Sequence, residues 1–284
     1  MQDYYYFLVD GFTEPLGYVY KTFVEQMPWP DYWTVDREKR LVKMNTGTDF
    51  DSRTRLMHET VRVGIESPDV ALFTGWDDEM FAIYAADGEH IMNMDGMGLD
   101  GFGVVNFAVH MIGFVRGKDG STKYWVPRRA KTKATYPNML DNTVGGSLSA
   151  GEKPIDCMVR ECEEELCLDR EYTRANLLPC GAASYAMDRA DDGKPSCQHQ
   201  VQYLYEMELA ESIVPKIGDG EVGEVNLLTI DEVKAALANG EFKLNCAISW
   251  IAFMIRHGHI SSENEPNFLE ICARLHRKHD LFIL

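Results

Sequence analysis

The stretch TVGGSLSAGEKPIDCMVRECEEELCLD, residues 143–169, gathers Glu152, Glu161, Glu163, Glu164 and Glu165 behind a Gly-Gly pair. Like charges at helical spacing repel one another, so this stretch is either a solvated acidic helix face or a set of charges held for a cation. Pro154 suits a first helical turn, and Ile155, Met158, Val159, Cys162 and Leu166 recur at i, i+3, i+4 spacing as one apolar stripe. The helix is thereby anchored to a core. At about 100° per residue, Glu161, Glu164 and Glu165 fall together away from that stripe, whereas Glu163 projects to the other side. Arg160 sits one turn before Glu164, where an i, i+4 ion pair orients the carboxylate without neutralising the group. The glycines of the preceding loop let backbone carbonyls approach a ligand closely, and the loop brings Glu152 to the helix entrance. Hard oxygen donors in this arrangement suit Mg²⁺ or Mn²⁺.

The rest of the chain changes character near MDGMGLDGFG, residues 94–103, and this glycine-rich stretch reads as a short linker between two domains. Upstream, PLGYVYKTFVEQM and SRTRLMHETVRVGIE carry the apolar spacing of amphipathic helices, and EMFAIYAA reads as a strand. Downstream, VVNFAVHMIGFV and KYWVPRR are strand-like around the turn RGKDGST, and HQVQYLYEMEL is a further strand. The tail is helical: TIDEVKAALANG opens on a Thr229/Glu232 capping box, and NCAISWIAFMIRHG runs from an N-cap at Asn245 to Gly258.

The spacing of Gly146, five residues, Glu152, seven residues, then Arg160-Glu161-Cys162-Glu163-Glu164-Glu165 resembles the Nudix box. That pattern is a Gly, a Glu, then Arg-Glu-apolar-any-Glu-Glu-any-Gly-apolar. Cys167 stands where the pattern has its final Gly, followed by the apolar Leu168. The departure bears on the turn that ends the helix and removes no carboxylate. The resemblance implies an α+β protein: a Nudix α/β/α sandwich with a mixed β-sheet over residues 104–245, with the box as loop-helix-loop. A smaller α+β domain over residues 1–103 precedes it, and C-terminal helices over residues 246–284 pack on it. GFGVVNFAVHMIGFV, VQYLYEMEL and DGEVGEVNLLTIDEV, with the N-terminal part, also resemble a Nudix branch that carries an extra N-terminal domain and in some members is fused to thiamin pyrophosphokinase.

The implied activity is metal-dependent hydrolysis of thiamin diphosphate, or damaged analogues of it, to the monophosphate. Two alternatives differ from it: a diphosphatase of nucleoside diphosphate derivatives such as ADP-ribose or NADH, and a non-catalytic ligand-sensing module. Glu161, Glu164 and Glu165 are the expected ligands of Mg²⁺ or Mn²⁺, with a backbone carbonyl of Gly145 or Gly146, and Glu152 supports Arg160 as in the family pattern. A general base must come from a metal-linked carboxylate or a later loop, and Glu221 and Glu224 in GDGEVGEV are the candidates.

Composition narrows the partners. The formal net charge of -17 works against binding a phosphate backbone, so an anionic substrate needs a metal or a local basic patch. PRRAKTK supplies Arg128, Arg129, Lys131 and Lys133 just ahead of the box, placed to hold a terminal phosphate. Phe107, Tyr136, Tyr185 and Tyr203 are candidates for stacking on a cationic heterocycle, although core positions are the more common fate of such residues. His110 alternates with apolar neighbours and reads as a core histidine. The 7 cysteines form no CxxC pair, which points to a reducing compartment rather than disulfides or thiolate zinc. MQDYYYFLVDGF lacks a basic n-region, and no segment approaches a membrane span. The expectation is a cytoplasmic protein acting on a small-molecule diphosphate, with neither nucleic acid nor membrane as partner and a homodimer as an admissible assembly. Residues 1–103 are expected to wall the substrate pocket, or else to serve stability or dimerisation.

Overall fold

A computed structural model of the protein describes residues 3–133, 135–189, 194, 196–218, 220–277 and 281. In the N-terminal part, alternating burial of Tyr5, Phe7 and Val9 sets strand β1 (Tyr4–Val9) against a core. It joins β2 (Gly17–Tyr20), β3 (Trp33–Asp36) and β4 (Leu41–Met44) in a sheet of order β2-β1-β4-β3, in which only β1 and β4 are parallel. PLGYVYKTFVEQM is therefore not one helix. Its aromatic and β-branched half pairs with β1 as β2, and only α1 (Lys21–Gln26) is helical. Helix α2 (Phe50–Glu66) starts at a capping box formed by Asp49 and Ser52 and buries Met57, Val61 and Gly64. A hairpin follows, β5 (Met80–Tyr84) with β6 (His90–Asp95).

The expected linker is a helix, α3 (Gly96–Phe102), capped by the Asp95 side chain and ended by Gly103 in the left-handed region. Its glycines serve close packing. A Cβ on Gly98 would lie 2.8 Å from Met94 Sδ, and one on Gly101 2.9 Å from a Phe73 ring carbon. Phe102 is fully buried among Phe7, Phe23, Trp29 and Trp33.

The second part is a mixed sheet between helices. Its strands are β7 (Val105–Arg116), β8 (Thr122–Arg129), β9 (Val144–Ser147), β10 (Leu178–Arg189), β11 (Ser196–Glu208) and β12 (Val222–Leu228), in the order β10-β11-β7-β8-β12, with β9 also on β7. β11 and β7 run parallel; the other pairs are antiparallel. On one face Val109, Met111 and Val144 pack on Cys157, Met158, Cys162 and Leu166 of α4 (Pro154–Leu166), with α5 (Arg170–Asn176) beside it. On the other, Ile112, Phe114, Tyr124 and Val126 pack on α6 (Ile230–Ala238) and α7 (Leu244–Arg256) through Val233, Trp250 and Phe253. The Thr229/Glu232 box caps α6 as expected. Helix α7 starts two residues earlier than expected, with Lys243 as N-cap; Asn245 is buried inside the first turn, its C=O accepting from Gln202 Nε2 at 3.2 Å. A last helix, α8 (Phe268–Arg274), follows, and residues 278–280 and 282–284 of the expected C-terminal segment lie outside the described residues. No helix among the described residues is long and apolar enough to cross a membrane.

Candidate active site

The site is built where β9 turns into α4. Strand β9 lies antiparallel on β7, with Gly146 opposite Val109 and Gly145 opposite His110. Both positions exclude a side chain by close approach: a Cβ on Gly146 would fall 2.2 Å from Glu161 Cδ, and one on Gly145 2.7 Å from His110 Nδ1. Pro154 opens α4 at its first turn, and the stripe of Met158, Val159, Cys162 and Leu166 is buried, which fixes the rotation of the helix and turns Glu161 onto the glycine backbone.

Arg160 ties this together. Its Nε and Nη2 each donate to Glu152 at 3.1 Å, and its Nη1 lies 2.9 Å from both Glu161 Oε1 and Glu164 Oε2. A planar guanidinium with five donors suits such a fork. Glu161 is 15% exposed. Burial pushes its carboxyl up to about 7; Arg160 opposes the shift, and Glu164 and Glu79 add repulsion. Burial that raises a carboxylate so far favours a second positive charge beside it.

No local sequence signal marks Glu79 as a neighbour of the box. Glu79 precedes β5, accepts from the Ser149 hydroxyl in the box loop, and sits beside the contact in which Ala150 N–H donates to Met80 C=O at 2.8 Å. The N-terminal part thus reaches the box. Between β5 and the box loop lies a cavity of about 230 Å³, bordered by Phe81, Ala82 and Tyr84 on one side and Asn106, Phe107 and Leu148 on the other.

The other expected residues are distributed more widely. Gly218 N–H donates to Glu165 C=O at 2.9 Å, so the chain leading to Glu221 leaves from the end of α4, and Glu221 pairs with Lys133 at 2.7 Å. Arg128 and Glu224 face each other at 3.1 Å on β8 and β12, with Glu241 also on Arg128 at 3.6 Å. By strand alternation Arg128 shares the side of Tyr124 and Val126, the α6–α7 face, which is opposite the box helix. The structure does not bring this pair to the box. Arg129 is held by Asp141 at 2.9 Å and by the Thr135 carbonyl, a structural pairing, while Lys131 is exposed. Tyr185 is 7% exposed, its hydroxyl 2.8 Å from Gln200 Oε1 and 3.0 Å from Gln198 Oε1, so its polar end is held inside the sheet. Phe107 stacks on Tyr203 and meets Tyr84 edge-on, whereas Tyr136 lies apart with its hydroxyl 4.0 Å from Met187 Sδ. His110 is a core histidine as expected: Asn142 Nδ2 lies 2.7 Å from its Nδ1, and burial holds it down to about 4.

A divalent cation suits this donor set: a buried carboxylate over a glycine backbone, with Glu164 one turn on. Among the described residues no three His, Cys, Asp or Glu side chains stand together as a metal-holding group. Of the three expected ligands, Glu161 and Glu164 meet, and they meet at Arg160.

Residues 107–248 match the family profile of the NUDIX domain. Over 97% of this chain and 83% of the relative, the sequence is 31% identical to the uncharacterized protein YJR142W of Saccharomyces cerevisiae. It is 29% identical to Nudix hydrolase 20, chloroplastic, of Arabidopsis thaliana, over 93% of this chain and 71% of that one. With Nudix hydrolase 24, chloroplastic, of the same plant it shares 26% identity over 92% of this chain and 70% of that one. The chain belongs to the Nudix family. It is a hydrolase of pyrophosphate bonds in small molecules, of a family that generally uses a divalent metal.

Proposed function

We propose that the protein is a Mg²⁺- or Mn²⁺-dependent diphosphatase that hydrolyses thiamin diphosphate, or damaged analogues of it, to the monophosphate and inorganic phosphate. The observation that carries the chemistry is the clamp of Arg160 on Glu152, Glu161 and Glu164 over Gly146. The resemblance of the N-terminal part and the flanking segments to Nudix proteins fused to thiamin pyrophosphokinase supports the substrate.

In this reading Glu161, Glu164 and Glu165, with the carbonyl of Gly145 or Gly146, hold the metal. When bound, the metal supplies charge neutralisation on the phosphoryl oxygens and lowers the pKa of a water. Arg160, braced by Glu152, keeps Glu161 and Glu164 in position. Lys133 and Lys131 face the incoming anion from the segment ahead of the box. The water oxygen bonds to the terminal phosphorus, the bond to the bridging oxygen breaks, and the bridging oxygen leaves on the monophosphate. The proton lost by the water passes to a carboxylate. Glu221 has the better claim among the later-loop candidates, because its loop leaves from the end of α4, while Glu224 faces Arg128.

The test is product analysis with the full chain and Mg²⁺ over thiamin diphosphate, ADP-ribose and NADH. Thiamin monophosphate plus inorganic phosphate, formed in preference to products from the nucleotides, is the expected result. Preferred cleavage of ADP-ribose or NADH favours the nucleoside diphosphate reading, and binding without any turnover favours a sensing module.

A further inference from the structure

The hairpin β5–β6 has an edge that the fold leaves without a strand. Phe81 and Met94, and Ile83 and Met92, are the hydrogen-bonded pairs, because Glu79 C=O accepts from Gly96 N–H and the pattern then alternates. Met80 and Ala82 therefore turn their backbone groups away from β6. Met80 C=O is used, by Ala150 N–H of the box loop. Ala82 comes next along that edge, and no strand among the described sheets pairs with it there. It borders the 230 Å³ cavity instead.

Two further features of that cavity point the same way. Tyr84 and Phe107 supply aromatic surface with centroids 5.8 Å apart at 87°. The cavity also reaches Ser149 and Glu152 of the box loop, and Glu152 is the carboxylate that holds Arg160. A molecule whose diphosphate lies at the box can thus extend its organic end into this cleft.

We propose that the cleft between β5 and the box loop binds the organic end of the substrate, a flat heteroaromatic ring with a donor beside an acceptor, against Tyr84 and Phe107, with the Ala82 backbone reading its edge. The inference rests on the diphosphatase reading for the placement of the phosphates and deepens it by naming what selects the ring. Ala82 N–H and C=O offer a donor and an acceptor side by side, as an edge strand offers them to an added strand. Tyr84 makes no contact in the chemistry and is a specificity residue, not a catalytic one.

The full-length variants Ala82→Pro, which removes the outward N–H of the edge, and Tyr84→Leu test this by two readouts. The first is calorimetric binding of thiamin monophosphate and AMP, ring-bearing probes without a diphosphate, which does not depend on turnover. The wild type is expected to bind at least one of them, and each variant to weaken that binding about tenfold or more, the scale of one lost stacking or hydrogen-bonding group. The second is a KM-against-kcat split with Mg²⁺. KM for the ring-bearing diphosphates thiamin diphosphate and ADP is expected to rise with kcat nearly unchanged, while methyl diphosphate, which has no ring, reacts as with the wild type. The inference is overturned if the wild type binds neither probe, if both folded variants bind as the wild type does, or if methyl diphosphate turnover falls in parallel. No turnover of any diphosphate by the wild type would sink the diphosphatase reading alone, and the binding arm would still decide the cleft. Should Ala82→Pro fail to fold, Tyr84→Leu, at a half-buried position, carries the test.

Discussion

Glu161 rests its carboxylate on the backbone of Gly146, so near that a Cβ at Gly146 would stand 2.2 Å from both Cδ and Oε1 of the glutamate. No rotamer adjustment of an alanine methyl relieves such an overlap; Glu161 or the strand must move. Gly146→Ala is therefore expected to lower kcat/KM on the order of a hundredfold, the cost of displacing a reacting group by about 1 Å. Overpacking should remove roughly 1–3 kcal/mol of stability. Steady-state kinetics beside a urea titration check both, and unchanged kinetics would mean that Glu161 is free to sit elsewhere.

Cys167 ends α4 in the left-handed region, at φ 52°. A residue with a Cβ is strained there by about 1–2 kcal/mol relative to glycine. Because the thiol is exposed, little packing is lost on removing it. Cys167→Gly should raise stability by about 1 kcal/mol, or roughly 2–4 °C in Tm for a chain of this size. A thermal melt that shows no gain would place the strain elsewhere.

Stability should fall on acidification through His110. Burial foremost, with Lys243 adding and Asp141 opposing, holds its folded pKa down to about 4 against 6.5 in the unfolded chain. Between those values the unfolded state binds the extra proton, so stability is lost as pH falls from about 6.5 to about 4, by at most roughly 3 kcal/mol. Urea titrations at pH 7, 5.5 and 4.5 read this slope. In His110→Gln it should flatten within that window.

Glu161 gives the opposite sign. Its folded pKa, about 7, lies above the ordinary 4.5, so its contribution is fully present below 4.5 and is lost as pH rises through 7. Metal-free protein should accordingly melt lower at pH 8 than at pH 6. A cation that binds only the folded state offsets this, so the rise in Tm on adding Mg²⁺ should be larger at pH 8 than at pH 6. An equal shift at both pH values, or the same difference in Glu161→Gln, would detach the effect from this carboxylate.

What the sequence made legible follows the range of the interactions. The box helix could be read in advance because its apolar stripe, its Pro154 start and its Arg160–Glu164 spacing are all local, and the structure keeps each of them. The α6 capping box is local too. The glycines of α3 suggest a linker because glycine has a low helix propensity, which cannot register that Gly98 and Gly101 face crowded neighbours. The pairing of Ser149 with Glu79 joins residues 70 apart in the chain, and nothing near either residue announces it. Arg128 and Glu224 carry suitable charges in suitable stretches, and only the alternation of β8 within the assembled sheet assigns Arg128 to the far face.

The most direct test of the proposed metal-dependent hydrolysis is the Mg²⁺-saturated turnover of Glu164→Gln with thiamin diphosphate, followed as inorganic phosphate released. The substitution keeps the size of the side chain and its place beside Arg160 but removes the charge. Several kcal/mol of transition-state stabilisation should go with it, so kcat is expected to fall on the order of a thousandfold while the melting curve stays close to that of the wild type. Near-normal turnover in this variant would contradict the assignment of the box carboxylates to the metal.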